Sequence, residues 1–275
     1  MSKITTRIAI ITPEEASKML ERNERNRPIT QGNLELFEQK FRNGEMVLNG
    51  EAIKIAWDGR ILDGQHRLTA CVNTGIPFEV LIVEGLDDET QDTMDDGTRR
   101  SPAQQLSIEG VANCTNVAAM ARATVLERRY SLRVAVSPSG KGKVATKPEI
   151  LAEYRNNADH YQILMSAVRP IVSSTPLNSG SASLLVKLFD ALDSEDAEEF
   201  WARVIDGQNL AKGNPIYELR RVYDAIVKKE ARYRDSVTVA ALTIKAWNAY
   251  RDGRSVGLLR FKPGGANPEQ FPEAI

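Results

Sequence analysis

The sequence is poor in the residues that build disulfide scaffolds and metal sites. It contains only two cysteines and two histidines in 275 residues, and Cys71 and Cys114 each stand alone. Residues scattered in this way do not supply the closely spaced ligand pairs of a structural zinc site. An isolated pair of cysteines also fits a reducing compartment better than a disulfide framework. We therefore expect a cytoplasmic protein without disulfides or structural zinc.

Long apolar runs are absent as well. No run approaches the roughly 18 residues that a membrane helix requires. The N-terminal residues 1–6 lack the apolar core of a secretory signal. The sequence thus predicts neither a membrane partner nor export.

Charge is nearly balanced over the whole chain but not along it. The net charge of −1 argues against a strongly basic protein that coats DNA. Residues 1–110 contain 13 Lys+Arg and 19 Asp+Glu, a balance of −6, whereas residues 111–275 contain 23 and 18, a balance of +5. Two interpretations stay open: ordinary scatter of surface charge, or a weak nucleic-acid footprint on the C-terminal half.

The first 110 residues alternate helical and strand patterns, which predicts a compact α+β domain. Thr12-Pro13-Glu14-Glu15 is typical of a helix start with a capping box. Asp58-Gly59 separates two alternating apolar runs, 52–57 and 60–63, and this arrangement predicts a β-hairpin. The apolar residues 78–83 predict a buried strand.

The remaining residues, 111–275, are predicted to form a mostly helical second domain. Helices are expected over 115–130, 147–168, 181–192, 195–205, 215–231 and 236–252. A Ser-, Gly- and Lys-rich stretch within 133–147 predicts an exposed basic loop.

The candidate site is Asp63-Gly64-Gln65-His66-Arg67, which lies between the end of a predicted strand and the start of a predicted helix. Backbone N–H groups at a helix N-terminus and the positive end of the helix dipole bind anions. The planar guanidinium of Arg67 can contact two phosphate oxygens. The pattern therefore indicates a phosphate-binding turn.

Each polar side chain of this turn also has a structural interpretation. His66 is a candidate acid/base or phosphate donor, or a capping histidine bonded to nearby backbone. Arg67 contacts phosphate, or forms an ion pair with Asp63 or Glu51. Asp63 binds a metal or acts as a base, or it only forms the turn. Thr69 presents a hydroxyl to a phosphate, or lies on the surface.

The order of these features resembles the ParB/sulfiredoxin-like superfamily over roughly residues 23–102, and within it the ParB-domain proteins of phages and mobile elements. The resemblance rests on the following segments: Asn26-Arg27, a helix with Gly44, 52–57, Asp58-Gly59, Ile61–Leu68 and Asp95–Ser101. It implies a ParB/sulfiredoxin-like N-terminal domain in a protein of the bacterial host cytoplasm.

In that superfamily the turn binds nucleotide phosphates, and members bind CTP and slide on DNA, use ATP, or cut DNA. Relatives with an Asp-Gly-Gln-His-Arg turn occur in DNA-modification systems. The resemblance implies catalytic roles for Asp63, His66 and Arg67, with Mg²⁺ on Asp63. The residues it implies for binding ATP or CTP are Gly64, Gln65, Arg67, Thr69, Asn26, Arg27, Asp95 and Arg99. The predicted partners are a nucleotide or DNA, and a second copy of the chain in a homodimer.

Two departures from the family patterns narrow the function. Gln65 stands where sulfiredoxin has its attacking cysteine, so that chemistry is excluded. Residues 111–275 contain no convincing helix-turn-helix, which partition proteins use to read DNA.

Two functions remain. The first, which the sequence favours because an acid, a base and a cation meet in one turn, is an enzyme that hydrolyses a nucleotide or a phosphodiester, as a nuclease or NTP hydrolase/phosphotransferase. The second is a non-catalytic DNA-binding or DNA-modification accessory module switched by nucleotide. Lys245–Arg251 interleaves cations with Trp247, which either stacks on bases or packs inside the protein. The cations around the basic loop, Arg128 and Arg129 among them, are the stronger candidates for a polyanion surface.

Overall fold

The computed structural model describes residues 4–23, 26, 28–87, 90, 100–137, 143–231, 234–265 and 267–275. The chain divides into two compact units. We call residues 1–100 and 144–148 the sheet unit, and residues 101–143 and 149–275 the helical unit. The described residues form a mixed α+β structure, as predicted, with twelve helices and one four-stranded sheet.

The sheet unit combines four strands and three helices among its described residues. Its elements in chain order are β1 (Thr5–Ile11), α1 (Pro13–Leu20), α2 (Gln31–Arg42), β2 (Ala52–Ala56), β3 (Ile61–Asp63), α3 (Gln65–Thr74) and β4 (Phe78–Leu86). The strand order is β1-β4-β2-β3. β2 and β4 are parallel, whereas the pairs β1–β4 and β2–β3 are antiparallel.

The predicted hairpin is confirmed, because β2 and β3 pair around Asp58-Gly59 with Ile55 opposite Ile61. The sequence patterns described above did not predict β1. This strand pairs with β4 from Thr5 opposite Glu84 to Ile11 opposite Phe78. It lies at an edge of the sheet, and most of its residues are exposed, including the apolar Ile8 and Ile10.

One face of the sheet and the three helices enclose the core of the sheet unit. Helices α1 and α2 both pack on α3. The core residues from the strands are Ile11, Ile53, Ile61, Phe78, Val80 and Ile82, and those from the helices are Ala16, Leu34, Phe41, Leu68, Ala70 and Cys71. The predicted capping box of α1 forms, because Thr12 Oγ1 accepts from the Glu15 amide and the Glu15 carboxylate accepts from the Thr12 amide. The packing of α1 and α2 on α3 fixes the position of α3, whose first turn contains the candidate site.

The rest of the described chain is helical. The elements are α4 (Pro102–Ile108), α5 (Cys114–Arg129), α6 (Leu132–Ala135), α7 (Lys147–Asn156), α8 (Ala158–Ser174), α9 (Ser179–Leu192), α10 (Ser194–Asp206), α11 (Pro215–Val227) and α12 (Ser236–Arg251). The helix predicted over 147–168 is wrong as a single element. It is interrupted at Asn157, whose backbone leaves the helical conformation at φ −135°.

A cluster of aromatic rings forms part of the core of the helical unit. The rings of Phe189 and Trp247 stack with centroids 4.3 Å apart and planes 6° apart. Phe200 meets Trp247 edge-on. Because Trp247 is fully buried, the packing interpretation of this tryptophan is confirmed and it does not stack on bases.

The predicted basic surface is partly neutralised. Arg128 pairs with Glu153 at 2.8 Å, and Arg129 forms an ion pair with Glu149. Residues 138–142 of the predicted basic loop lie outside the described residues. Among the helices described, none has the length and apolarity needed to cross a bilayer.

Candidate functional site

Gly64 connects β3 to α3 in a conformation that only glycine adopts readily. It is the N-cap of α3 with φ 107° and ψ 3°. A Cβ atom at this position would lie 2.3 Å from Cδ1 of the buried Ile53. The turn therefore requires glycine for both backbone conformation and space. Since glycine has no side chain, the N-cap residue leaves the first turn of α3 without a side-chain cap.

Arg67 is buried and bonded to the adjacent strand. Its guanidinium donates to the carbonyl oxygen of Glu51 at 3.1 Å and to that of Ala52 at 2.5 Å. Its Nη2 also lies 3.5 Å from Oδ2 of Asp63. The ion pair between Arg67 and Asp63 considered in the sequence analysis is thus present, and the guanidinium ties α3 to the start of β2.

His66 is also buried, at 8% exposure, and packs against the start of α2. Its Nε2 accepts a hydrogen bond from the Thr30 amide at 3.3 Å. The imidazole stacks on the ring of Phe37 with centroids 6.3 Å apart. These contacts place His66 in the packing of α3 against α2; its predicted catalytic role stays a prediction.

Two asparagine side chains, those of Asn23 and Asn26, lie against the turn and β3. Nδ2 of Asn23 donates to Oε1 of Gln65 at 3.0 Å. Nδ2 of Asn26 donates to the carbonyl oxygen of Ile61 at 2.7 Å and also contacts Oδ1 of Asn23. The structure therefore brings Asn26, predicted to bind the ligand, within hydrogen-bonding contact of β3, the strand that ends at Asp63.

Two cations lie near Asp63 among the described residues. Its Oδ2 lies 3.5 Å from Arg67 Nη2 and 3.8 Å from Lys54 Nζ. Mg²⁺ in proteins is held by carboxylates together with waters and substrate phosphates. Within the described part of the chain, no three His, Cys, Asp or Glu side chains are grouped to hold a metal. The predicted Mg²⁺ on Asp63 stays a prediction, and the function proposed below uses no metal.

The other predicted ligand residues divide into two groups. The Thr69 hydroxyl donates to the carbonyl oxygen of Gln65 at 2.9 Å, within its own helix. Arg27, Asp95 and Arg99 lie outside the described residues, so their predicted roles stay predictions.

Three residues around the turn were missed by sequence analysis: Asn23, Thr30 and Phe37. Thr30 is the N-cap residue of α2, and its position before an apolar helical pattern is the one local signal that sequence offers. Phe37 lies in α2. Its contact with His66 depends on how α2 packs on α3, which a local pattern does not reveal.

No known protein-family model matches this chain, and no curated protein matches it either. The ParB/sulfiredoxin-like resemblance therefore stays a prediction that rests on the order of its sequence features.

Proposed function

We propose that the sheet unit is a non-catalytic module that binds a phosphate group of a nucleotide or of nucleic acid at the N-terminus of α3. The observation that supports this proposal is the left-handed conformation of Gly64, which begins α3 and itself has no side chain to cap it. Helix N-termini of this kind attract anions through their backbone N–H groups and the helix dipole.

The surroundings of the turn support binding. The side chains of Asn23 and Asn26 are bonded to Gln65 and to the Ile61 carbonyl of β3, which places two amide groups beside the helix start. Side chains that are already held in place lose less conformational entropy when a ligand binds than free ones do.

The geometry favours a module over an enzyme because two of the three candidate catalytic side chains stabilise the fold. Arg67 is bonded to two backbone carbonyls, and His66 accepts from Thr30. A residue that binds developing charge must direct its donors at the reacting group. In this structure the two buried side chains direct these bonds at their own chain.

One observation favours the enzyme as a second candidate. The Asp63 side chain is 23% exposed, which leaves its carboxylate accessible next to the turn. A base at this position could accept a proton from water or a hydroxyl.

The experiment measures binding of ATP, of CTP and of a labelled DNA duplex to the wild-type chain and to Gln65→Glu. This substitution keeps the side-chain shape and an acceptor for Asn23, but it adds a negative charge to the first turn of α3. We expect affinity for the bound probe to fall about tenfold or more through charge repulsion. Gln31→Glu is the control for an added charge at a helix start, because Gln31 is the exposed first residue of α2, and it should bind like the wild type. Since Gln65 is buried, circular dichroism checks that Gln65→Glu keeps the fold.

The outcomes separate the candidates. The module is supported if Gln65→Glu weakens binding, Gln31→Glu does not, and no product forms. Product that disappears in Asp63→Asn identifies an enzyme. If none of the three probes binds, or if Gln65→Glu binds as tightly as the wild type, the proposal is wrong.

A further inference from the structure

The last residues of the chain contact one turn of α12. Nε1 of Trp247 donates to the carbonyl oxygen of Ile275 at 3.0 Å. The amide side chain of Asn248 donates to the carbonyl oxygen of Glu273 at 2.8 Å and accepts from the Ile275 amide at 3.1 Å. We call residues 269–275 the C-terminal tail. Side chains of α12 thus recognise peptide backbone.

An ion pair also holds the C-terminal tail against α12. Lys245, on the same helix, forms an ion pair with Glu269 of the tail. Phe271 packs edge-on against Phe261 with ring centroids 6.3 Å apart. The helical unit therefore already holds one acidic, apolar peptide segment with a cation, amide groups and an apolar contact.

A cleft of about 390 Å³ lies beside the tail, within the size range of ligand sites. Its apolar lining is aliphatic and consists of Ala249, Val256, Leu258, Leu259 and Pro272. Lys245, Arg254 and Arg260 add three cations, and no carboxylate side chain of a described residue lines it. Leu258 is 53% exposed, so apolar surface remains open to a partner.

Arg260 has the side chain best placed to receive an anion. Its carbonyl oxygen accepts from Lys245 Nζ at 2.6 Å, which fixes its backbone next to the tail. Its guanidinium is exposed and forms no ion pair with a described residue. Arg254, in contrast, is paired with Asp252 at 2.7 Å. The guanidinium fork of Arg260 can therefore bind a carboxylate with two parallel hydrogen bonds.

We propose that this cleft binds an extended acidic segment of a partner protein, with an aliphatic side chain on Leu258 and a carboxylate on Arg260. The lining favours a peptide over single-stranded nucleic acid, because sites for bases use aromatic rings and the described lining has none. The bound segment would lie next to the C-terminal tail and make the same kinds of contact: a carboxylate with a cation, and an apolar side chain with an apolar surface.

The experiment uses the full chain and a fluorescein-labelled peptide in which glutamates flank a pair of leucines, measured by fluorescence anisotropy. We expect saturable binding that Arg260→Glu weakens about tenfold, as for an interface charge reversal. Leu258→Ser should weaken it several-fold. Arg169→Glu, an equal charge change at an exposed residue that does not line the cleft, should leave it unchanged. Because Arg260 is exposed, its replacement should keep the fold, and circular dichroism with Arg260→Gln as a milder variant checks this.

Three results would overturn the proposal. The first is the absence of saturable peptide binding to the wild type. The second is an equal loss in Arg169→Glu and Arg260→Glu, which would reflect net charge alone. The third is single-stranded DNA that competes for the cleft and binds more tightly than the peptide. Gln65→Glu should not change peptide binding, so this test and that of the proposed phosphate site fail independently.

Discussion

The guanidinium of Arg67 donates to the carbonyl oxygen of Ala52 and so joins the first turn of α3 to the start of β2. Glu51 provides a second carbonyl acceptor, and Asp63 provides the opposite charge. One side chain thus connects three segments of the sheet unit. The polar residues of the turn act first as a structural connection, and any ligand binds to a backbone that this connection holds in place.

Replacing Arg67 with alanine should destabilise the sheet unit by about 3 kcal/mol, because two carbonyl groups lose a charged donor in a largely buried position. Hydrogen exchange of residues 61–75 measures the loss locally. Arg42→Ala is the control, since this exposed arginine pairs with Glu38 on its own helix; it should cost about 0.5 kcal/mol or less. Equal effects of the two variants would contradict the connecting role.

Gly64 and Gly32 should respond in opposite directions to replacement by alanine. Gly64→Ala introduces a methyl group 2.3 Å from Ile53 Cδ1 and strains a backbone with positive φ, so we expect a loss of about 2 kcal/mol or more. Gly32 lies in α2, and a methyl group there would meet no described atom within 4 Å, so alanine should add about 0.5 kcal/mol through helix propensity. Urea denaturation compares the two. A neutral Gly64→Ala variant would show that the turn relaxes easily.

Cys71 should resist alkylation until the sheet unit unfolds. The side chain is fully buried, and its Sγ lies 3.2 Å from the carbonyl oxygen of Ile76. Burial, with a smaller effect of Glu14, raises the pKa of the Cys71 thiol from 9.0 to about 11. Cys114 is partly exposed, so iodoacetamide at about pH 8 should label Cys114 alone, as mass spectrometry can show. Labelling of both cysteines at equal rates would contradict this expectation.

The raised pKa of Cys71 also predicts how stability changes in alkali. The unfolded thiol loses its proton near pH 9, whereas the folded thiol keeps it up to about pH 11. The unfolded state therefore binds fewer protons in this interval, so stability falls as pH rises through it. Buried tyrosines contribute in the same direction, and comparison with Cys71→Ala isolates the thiol. The variant should lose less stability between these pH values than the wild type does.

The C-terminal tail should loosen in acid. Burial opposes ionisation of Glu269, but hydrogen bonds from Lys245 and from the Lys262 amide outweigh it and hold the pKa of the Glu269 carboxyl below 4.5. A lowered pKa stabilises the folded state above the unfolded pKa, and this contribution is lost as pH falls through the folded pKa. Hydrogen exchange of residues 269–275, corrected for its intrinsic pH dependence, should lose protection below about pH 4.5. In Glu269→Gln this change should be absent; if it persists, other groups hold the tail.

The strand, glycine turn and helix of the candidate site were predictable because their signals are local. Asp58-Gly59 identified the hairpin, and Gly64 identified the start of α3. The burial of His66 and Arg67 was not predictable. Their contacts come from Thr30, Phe37, Glu51 and Ala52, and only the folded chain brings these residues to the turn.

The errors in the predicted fold also come from contacts and hydrogen bonds that a local sequence pattern does not reveal. The seven-residue strand β1 pairs with residues 78–84, far along the chain, and its position at the sheet edge leaves few of its side chains buried. The break between α7 and α8 falls at Asn157, whose Nδ2 donates to the carbonyl oxygen of Glu153. Asparagine competes for backbone hydrogen bonds in this way, but periodicity alone continues across it.

The stacking of Phe189 on Trp247 has a consequence for biosynthesis. Helices α9 and α10 emerge from the ribosome well before α12. The rings of Phe189 and Phe200 are therefore exposed before the indole of Trp247 is available to cover them. Nascent chains that end before residue 247 should expose an aromatic surface and depend on chaperones. The helical unit is therefore expected to reach its native packing only after synthesis has passed α12.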